Sequence, residues 1–466
     1  MMGRDLDKER FTEAEYTHFG ERIQEQLGVL RELLDTPGFG QGPITIGAEL
    51  ELFLIDEEGR PLPHNDQVRE ALGDDRVVLE LGRYNLEVNL TPLPLAGRPF
   101  ERLSAEVQET MTKVDGAVAG GGALPIGILP TLDTEDFTLG AMSDQNRYRA
   151  MSRGIRRLRL EPFLVKIDDL ELSVEDVILE SANTSWQVHI RTPPEHFARL
   201  FNAAQLAIGP VLAACGNSPF FLGRELWEET RIALMEEAAD DRDVQRRERR
   251  DGRVTFGSDW VHEGAHELFE RYVRDYDPIV PDLAEGAGRH EVPELRLHQG
   301  TIWQWNRPVY DPADGGHLRI ELRALPAGPS CADMAANTAF LLGLTLSQAE
   351  RDLTGYRFAT AYQNFYRAAM RGLDARLSWP GMEGERDAAD LVLHLLPEAR
   401  KGLLGAGVAP SDADRALDVI AQRTRLRRTG SVWQREALAR FGGDRRELVR
   451  RYRELALSGT PVHLWK

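Results

Sequence analysis

Ile46-Gly47-Ala48-Glu49-Leu50-Glu51-Leu52-Phe53-Leu54 alternates apolar and acidic residues at the two-residue period of a β-strand. That period sends Leu50, Leu52 and Leu54 to one side and Glu49 and Glu51 to the other. Working outward, the pattern returns three times. Asn85-Leu86-Glu87-Val88-Asn89-Leu90 turns Leu86, Val88 and Leu90 inward and Asn85, Glu87 and Asn89 outward. Ser185-Trp186-Gln187-Val188-His189-Ile190-Arg191 presents Gln187, His189 and Arg191, and Leu318-Arg319-Ile320-Glu321-Leu322-Arg323 presents Arg319, Glu321 and Arg323. An antiparallel sheet with one wet face produces such alternation by itself, so one strand alone says little. Four strands whose polar sides hold carboxylates, amides, His and Arg, and not one lysine, say more.

Carboxylates paired at i, i+2 repel unless a cation lies between them. Glu49, Glu51, Glu87 and Glu321 therefore read as an oxygen-ligand cage for Mg²⁺ or Mn²⁺. Arginines on the same face would hold phosphate or carboxylate through paired hydrogen bonds. Metals beside arginines imply phosphoryl chemistry, with ATP as the nucleotide. No G-x-x-x-x-G-K-[ST] occurs, and the glycines at Gly120 to Gly122 do not complete G-x-G-x-x-G, so P-loop and Rossmann enzymes are disfavoured.

The 466 residues, 42% apolar and 28% charged, have the composition of a globular protein with ample core. A formal net charge of −18 repels a phosphate backbone and argues against nucleic acid as a partner. Cys215 and Cys331 are too few for a disulfide framework or a thiolate metal cluster, and read as packed small residues. The start MMGRDLDKERFTEAEY is charged where a signal peptide needs an apolar stretch. The longest weakly polar run, Gly116 to Leu129, falls short of the ~20 apolar residues of a spanning helix. A cytoplasmic protein without a membrane partner is expected. Phe19, Ile23, Leu27, Leu30 and Leu34 mark an amphipathic helix that Thr12 and Glu15 could cap. From about Cys331 to Leu457 the pattern is helical, broken at Pro380-Gly381 and between Gly405 and Pro410. The charge run Glu236 to Arg253 reads as a solvated helix end or loop, or else as a mobile arginine segment over a phosphate site.

IGAELELFLI, LELGRYNLEVNLTPLP, SWQVHI, GNSPFFLG followed by Arg231, and LRIELR resemble, in that order, the bacterial glutamate-cysteine ligase and carboxylate-amine ligase family. The resemblance runs from about Ile44 to Leu344. It implies an α+β fold of the glutamine synthetase type, a curved antiparallel sheet with helices behind it and a helical C-terminal region. The implied division is an N-terminal helical arm at 1–40, a catalytic domain at 41–355, and a helical extension at 356–466 packed on it.

The resemblance further implies that Glu49, Glu51, Glu87, Glu321 and His189 hold metal and that Glu80 is a weaker candidate at the head of its strand motif. Arg323 would lie near the phosphates and Arg231 would grip the substrate carboxylate, both as catalytic groups. Arg147 and Tyr148 would line the amino-acid pocket, with Asn89, Gln187, Arg319 and Trp303 also binding substrate or nucleotide. The implied reaction phosphorylates the γ-carboxylate of glutamate with ATP and joins it to an amine, cysteine first among them, as in glutathione biosynthesis. Two features depart from the family pattern. Tyr84-Asn85 stands where many relatives carry a glycine-glutamine type of stretch, and the tail after about Tyr356 extends beyond compact members.

Three other readings compete. A carboxylate-amine ligase with another carboxylate or amine shares every motif. A binding protein that lost turnover would keep the fold, although all four carboxylates and the E-x-R arginine remain. His262-Glu263-Gly264-Ala265-His266 fits the H-E-x-x-H pattern of zinc hydrolases, at the expense of a glycine inside the required helix. Trp303 and Trp305 alternate on one face, either as core or as a wall for adenine or the amine.

Overall fold

The computed structural model describes residues 5–159, 161–351, 353 and 355–466. Its centre is an eight-stranded sheet. The strands are β1 (Thr45–Asp56), β2 (Val77–Leu79), β3 (Asn85–Asn89), β4 (Leu93–Pro94), β5 (Gly121–Leu124), β6 (Trp186–Thr192), β7 (Asn306–Asp311) and β8 (His317–Leu322). They run in the order β7-β8-β6-β1-β3-β2, every pairing antiparallel. The twelve-residue β1 is long enough to take two neighbours along each edge. β3 and then β4 pair with one edge, and β6 and then β5 with the other. The result is a curved antiparallel sheet of the expected α+β class.

The alternation in β1 survives folding: Ile46, Ala48, Leu50, Leu52 and Leu54 are buried, while Gly47, Glu49 and Glu51 stay partly open. Behind the apolar face lie the helices Pro194–Ala213, Cys331–Gln348 and Ala388–Gly405, which share one core with it. Trp186 shows how sheet and helix are joined. Its ring is wholly buried under the sheet, and its Nε1 donates to Thr338 Oγ1 on the Cys331–Gln348 helix at 2.8 Å, so burial leaves no indole donor unpaired.

The N-terminal helix forms over Glu13–Leu34, and its capping box is the one expected, with Thr12 and Glu15 satisfying each other's backbone donors. The C-terminal helices are knit into the body. Arg423, on the helix Pro410–Arg425, is 1% exposed and donates to Asp333 at 2.7 Å, Asn337 at 2.7 Å and the Ala214 carbonyl at 3.0 Å. Trp433, Tyr452 and Trp465 meet edge-on at 5.0–5.8 Å and belong to a second core that includes Phe53 of β1 and Leu124 of β5. No helix among the described residues is long and apolar enough to cross a membrane.

Candidate active site

Strand register assembles the polar face. Glu49 faces Asn89 across one edge of β1 and Gln187 across the other, Glu51 faces Glu87, and His189 faces Glu321. Residues from four stretches nearly 280 positions apart thereby share one surface. At its centre one ligand atom each from Glu49, His189 and Glu321 lies within 4.8 Å of the others, the one such group of three among the described residues. His189 Nε2 stands 3.1 Å from Glu49 Oε1, yet neither ring nitrogen has a well-aligned hydrogen bond although the residue is 6% exposed. Buried polar atoms without partners call for an explanation. Two carboxylates and an imidazole converging on one point make a donor set that fits Mg²⁺ or Mn²⁺.

The carboxylates around this point divide by their neighbours. Burial opposes ionisation of Glu321, but Arg307, Arg323 and His189 hold it far below the ordinary carboxylate range. Arg307 grips it with two hydrogen bonds, Nε at 2.6 Å and Nη2 at 3.0 Å, and both residues are 1% exposed. Burial likewise opposes ionisation of Glu49, and the imidazole of His189 brings its carboxyl below the usual value. Glu87 goes the other way. Burial, then the charges of Glu49, Glu80 and Glu51, push it well up, with only Asn89 Nδ2 donating to it at 3.0 Å. Burial and Glu51 push Glu80 up to about 7. Burial also raises Glu51, even though it accepts from the Ser185 amide at 2.6 Å, Ser185 Oγ at 2.9 Å and Gln187 Nε2 at 2.7 Å. This face holds more negative charge than it holds cations to balance it.

Arg323 follows β8 and donates to both Glu321 and Gln187, which sets its guanidinium over the same face. A carboxylate cage flanked by a fixed arginine can place and neutralise a phosphoryl group. The model of glutamate-cysteine ligase family 2 matches residues 45–454.

The chain belongs to glutamate-cysteine ligase family 2. It is an ATP-dependent ligase of the carboxylate-amine type. The match reaches 454, so the helical tail that the shorter sequence resemblance placed outside is part of the family's own span. A glutamate–cysteine ligase from Francisella tularensis, solved in complex with AMP, is similar in fold at a TM-score of 0.61 and 12% identity, over 90% of each chain. A bifunctional glutathione synthetase from Pasteurella multocida is similar at a TM-score of 0.52 and 11% identity, over 93% of this chain and 53% of that one. No curated protein sequence matches this chain.

Other anticipated residues of this family member fall around the face in different ways. Tyr148 Oη and Arg147 Nη2 both donate to the Leu79 carbonyl, at 2.6 and 2.5 Å, which puts the pair beside Glu80. Arg231 is 2% exposed, bound to Glu229 at 3.1 Å and to the Ala324 carbonyl, with the Trp305 ring 5.7 Å away. Glu229 itself accepts from the Asn217 amide and Ser218 Oγ at 2.8 and 2.7 Å, so Arg231 stands in a buried network on which the charges of Glu51 and Arg323 also act. Arg319 sits at the far end of β8, paired with Asp311 at 3.0 Å. Trp303 is half-buried and its amide donates to the Arg253 carbonyl, whereas Trp305 is 2% exposed with Nε1 on Glu236 at 2.9 Å.

The zinc reading fails on local geometry. Gly264 has φ 102°, which ends any helix there, and the helix begins only at Ala265. His262 therefore precedes it, and its amide and that of Glu263 are capped by Glu267 at 2.8 and 2.9 Å. The arginine run is no mobile flap either: Arg253 is fully buried on Asp241 at 2.6 Å, and Arg250 joins the same carboxylate at 2.8 Å. Cys215 and Cys331 are buried, and burial pushes the Cys215 thiol up to about 12, which leaves it unreactive. The sequence reading missed two groups: Arg307 as the clamp on Glu321, and Glu180, which borders the same face beside Glu51 and Glu80. The one signal for Glu180 is an acid that follows the apolar run Val177-Ile178-Leu179, shortly before the SWQVHI strand.

Proposed function

We propose that this ligase uses ATP to phosphorylate the γ-carboxylate of glutamate and joins the activated acyl group to cysteine, forming γ-glutamylcysteine. The observation that carries the reading is the convergence of Glu49, His189 and Glu321 beside Arg323 on one sheet face, in a chain of this family. Glu49, His189 and Glu321, together with Glu51 and Glu87 on the same face, would hold Mg²⁺ or Mn²⁺. Such an ion supplies charge neutralisation of the ATP phosphates. In the first step a carboxylate oxygen of glutamate attacks the γ-phosphorus, and ADP leaves. Arg323, held by Glu321 and Gln187, lies where it can offset charge on the transferring group. In the second step the amine nitrogen attacks the acyl carbon, phosphate leaves and the amine proton is released. Positioning and charge stabilisation suffice, and no covalent nucleophile is needed.

Arg231 would act on the substrate carboxylate from its buried network, and Arg147, Tyr148, Asn89, Arg319 and Trp303 would shape the pocket around it. The division into an arm at 1–40, a catalytic domain at 41–355 and an extension at 356–466 is kept as part of this reading. Two buried, unpaired cysteines suit a reducing cytoplasm.

Phosphate release from ATP with Mg²⁺ and glutamate, with amino acids and amines added singly and products weighed by mass spectrometry, tests it. Release that peaks with cysteine and yields a γ-glutamyl amide is expected. Release without glutamate, with another amide formed, would move the substrate class, and no release with any pair would refute turnover.

A further inference from the structure

The helix that carries Arg147 and Tyr148, Asn146–Leu158, begins without a cap of its own. The first amides of any helix have no partner inside it, and the side chain just ahead of the helix usually accepts from the second or third of them. Here that residue is Gln145, whose side chain makes no such bond. The first turn also holds Arg147 and Arg149 and no acid, so its charges oppose the positive end of the helix dipole. Asp144, one residue earlier, points into solvent and is spent on the Arg149 guanidinium at 2.6 Å.

The missing cap comes from a distant part of the chain. Asp5 Oδ1 accepts from the Arg147 amide at 3.0 Å, the second amide of the helix and one that an N-cap side chain would take. Its neighbour holds it there. The Leu6 carbonyl accepts from Asn146 Nδ2 at 2.7 Å, and the Leu6 side chain is 9% exposed in a core cluster with Leu81, Met142, Tyr148 and Ile155. Further along, Glu9 pairs with Arg149 at 2.7 Å and Arg153 at 2.9 Å, and Glu13 holds Arg157 with bonds of 2.9 and 2.5 Å. Those pairs lie at the surface and each contributes little. Asp5 differs from them because it acts on the first turn, and that turn is tied to the site.

The tie is made by two side chains. Tyr148 Oη and Arg147 Nη2 converge on the Leu79 carbonyl at the end of β2, and the Arg147 guanidinium lies 4.4 Å over the Tyr148 ring. Fraying of the first turn would release both side chains from that carbonyl. We propose that Asp5 is a positioning residue: by capping the helix Asn146–Leu158 in place of Gln145, it holds Arg147 and Tyr148 where they line the amino-acid pocket. The role of the pair rests on the ligase reading, whereas the cap stands apart from it.

Asp5 is exposed, so its substitution leaves the core intact. Asp5→Ala removes the acceptor and Asp5→Asn keeps one. In Asp5→Ala, hydrogen exchange at the amides of residues 147–151 should quicken about fivefold, the equivalent of one lost cap. The KM for the amino-acid substrate should rise about three- to tenfold, while kcat at saturation and the KM for ATP stay within about twofold. Asp5→Asn should return both readings to within about twofold of wild type, and a variant that behaves like Asp5→Ala would refute capping. Unchanged exchange in Asp5→Ala would overturn the proposal outright. Quickened exchange with an unchanged amino-acid KM, or with an equal rise in the KM for ATP, would leave a cap that positions nothing and so overturn the role. A wild type that forms no amide with any pair would sink the ligase reading, and the exchange measurement then decides the cap on its own.

Discussion

Glu321 is the residue on which the face turns, because it belongs both to the metal-type triad and to two arginines. Arg307 makes two bonds to it from the neighbouring strand β7, and Arg323 makes one from the end of its own strand. Removing one partner of a buried pair leaves the other charge uncompensated, so Arg307→Met should lose about 3 kcal/mol or more of stability in urea unfolding. A loss below about 1 kcal/mol would show that Arg323 alone balances the charge. Arg323→Lys keeps the positive charge but not the planar guanidinium, whose Nη1 donates to both Glu321 and Gln187 and whose other nitrogens remain to meet a phosphoryl group. Phosphoryl transfer should therefore fall further than charge alone explains, and unchanged ATP turnover would reject the role. Glu87 carries no arginine, and its carboxyl is raised by burial and by three neighbouring acids. Glu87→Gln should cut metal-dependent turnover by about 10²-fold or more while the fold stays intact, as circular dichroism would verify. Wild-type turnover in that variant would defeat the metal-cage assignment.

The helix Arg231–Ala238 links the site's edge to the aromatic packing behind it. At its start Arg231 is bound to Glu229, and a turn and a half later Glu236 accepts from Trp305 Nε1 at 2.9 Å and from Tyr366 Oη at 2.6 Å. Burial pushes the Glu236 carboxyl up to about 7, against those two hydrogen bonds and from an ordinary value of 4.5. Between about pH 4.5 and 7 the folded state then binds more protons at this residue than the unfolded state does. Its contribution to stability is complete below about 4.5 and is lost as pH rises through about 7. Glu236→Gln should therefore remove part of the decline in stability across that window, measured by urea unfolding at several pH values. An identical pH profile in the variant would show that Glu236 titrates normally.

At the scale of the whole molecule the C-terminal helices stabilise the sheet that carries the site. Leu391, Val392, Leu395 and Leu403 lie in the same core as Leu50, Leu52 and Val88. Asp333, inside the Cys331–Gln348 helix, is bound by Arg423 and by the Val462 amide at 2.9 Å. A chain ended after residue 355 would expose that core surface and leave Asp333 buried without its cation. It should be insoluble or lack cooperative unfolding, and a soluble, cooperative fragment with the wild-type sheet would show that the tail is dispensable.

By itself the sequence determined the strands and the chemistry of their two faces. The two-residue period is a local property of the chain, so Leu50, Leu52 and Leu54 against Glu49 and Glu51 could be assigned before any pairing was known. The capping box at Thr12 and Glu15 was legible for the same reason, because all its partners lie within four residues. Tertiary structure alone decided which polar residues meet. Register places Glu321 across from His189 and from Arg307, and neither pairing is encoded by any spacing within a strand. Glu180 sits in a short 3-10 helix, Val177–Ala182, too short for a period to mark a face, and it becomes part of the site only because the chain returns there beside Glu51 and Glu80. The H-E-x-x-H match misled for a local reason that spacing does not carry, since a backbone at φ 102° on Gly264 separates its two histidines. Pattern reports which side of an element is polar, whereas the distance between elements, and with it every coupling of charge across the face, exists only once the sheet has closed.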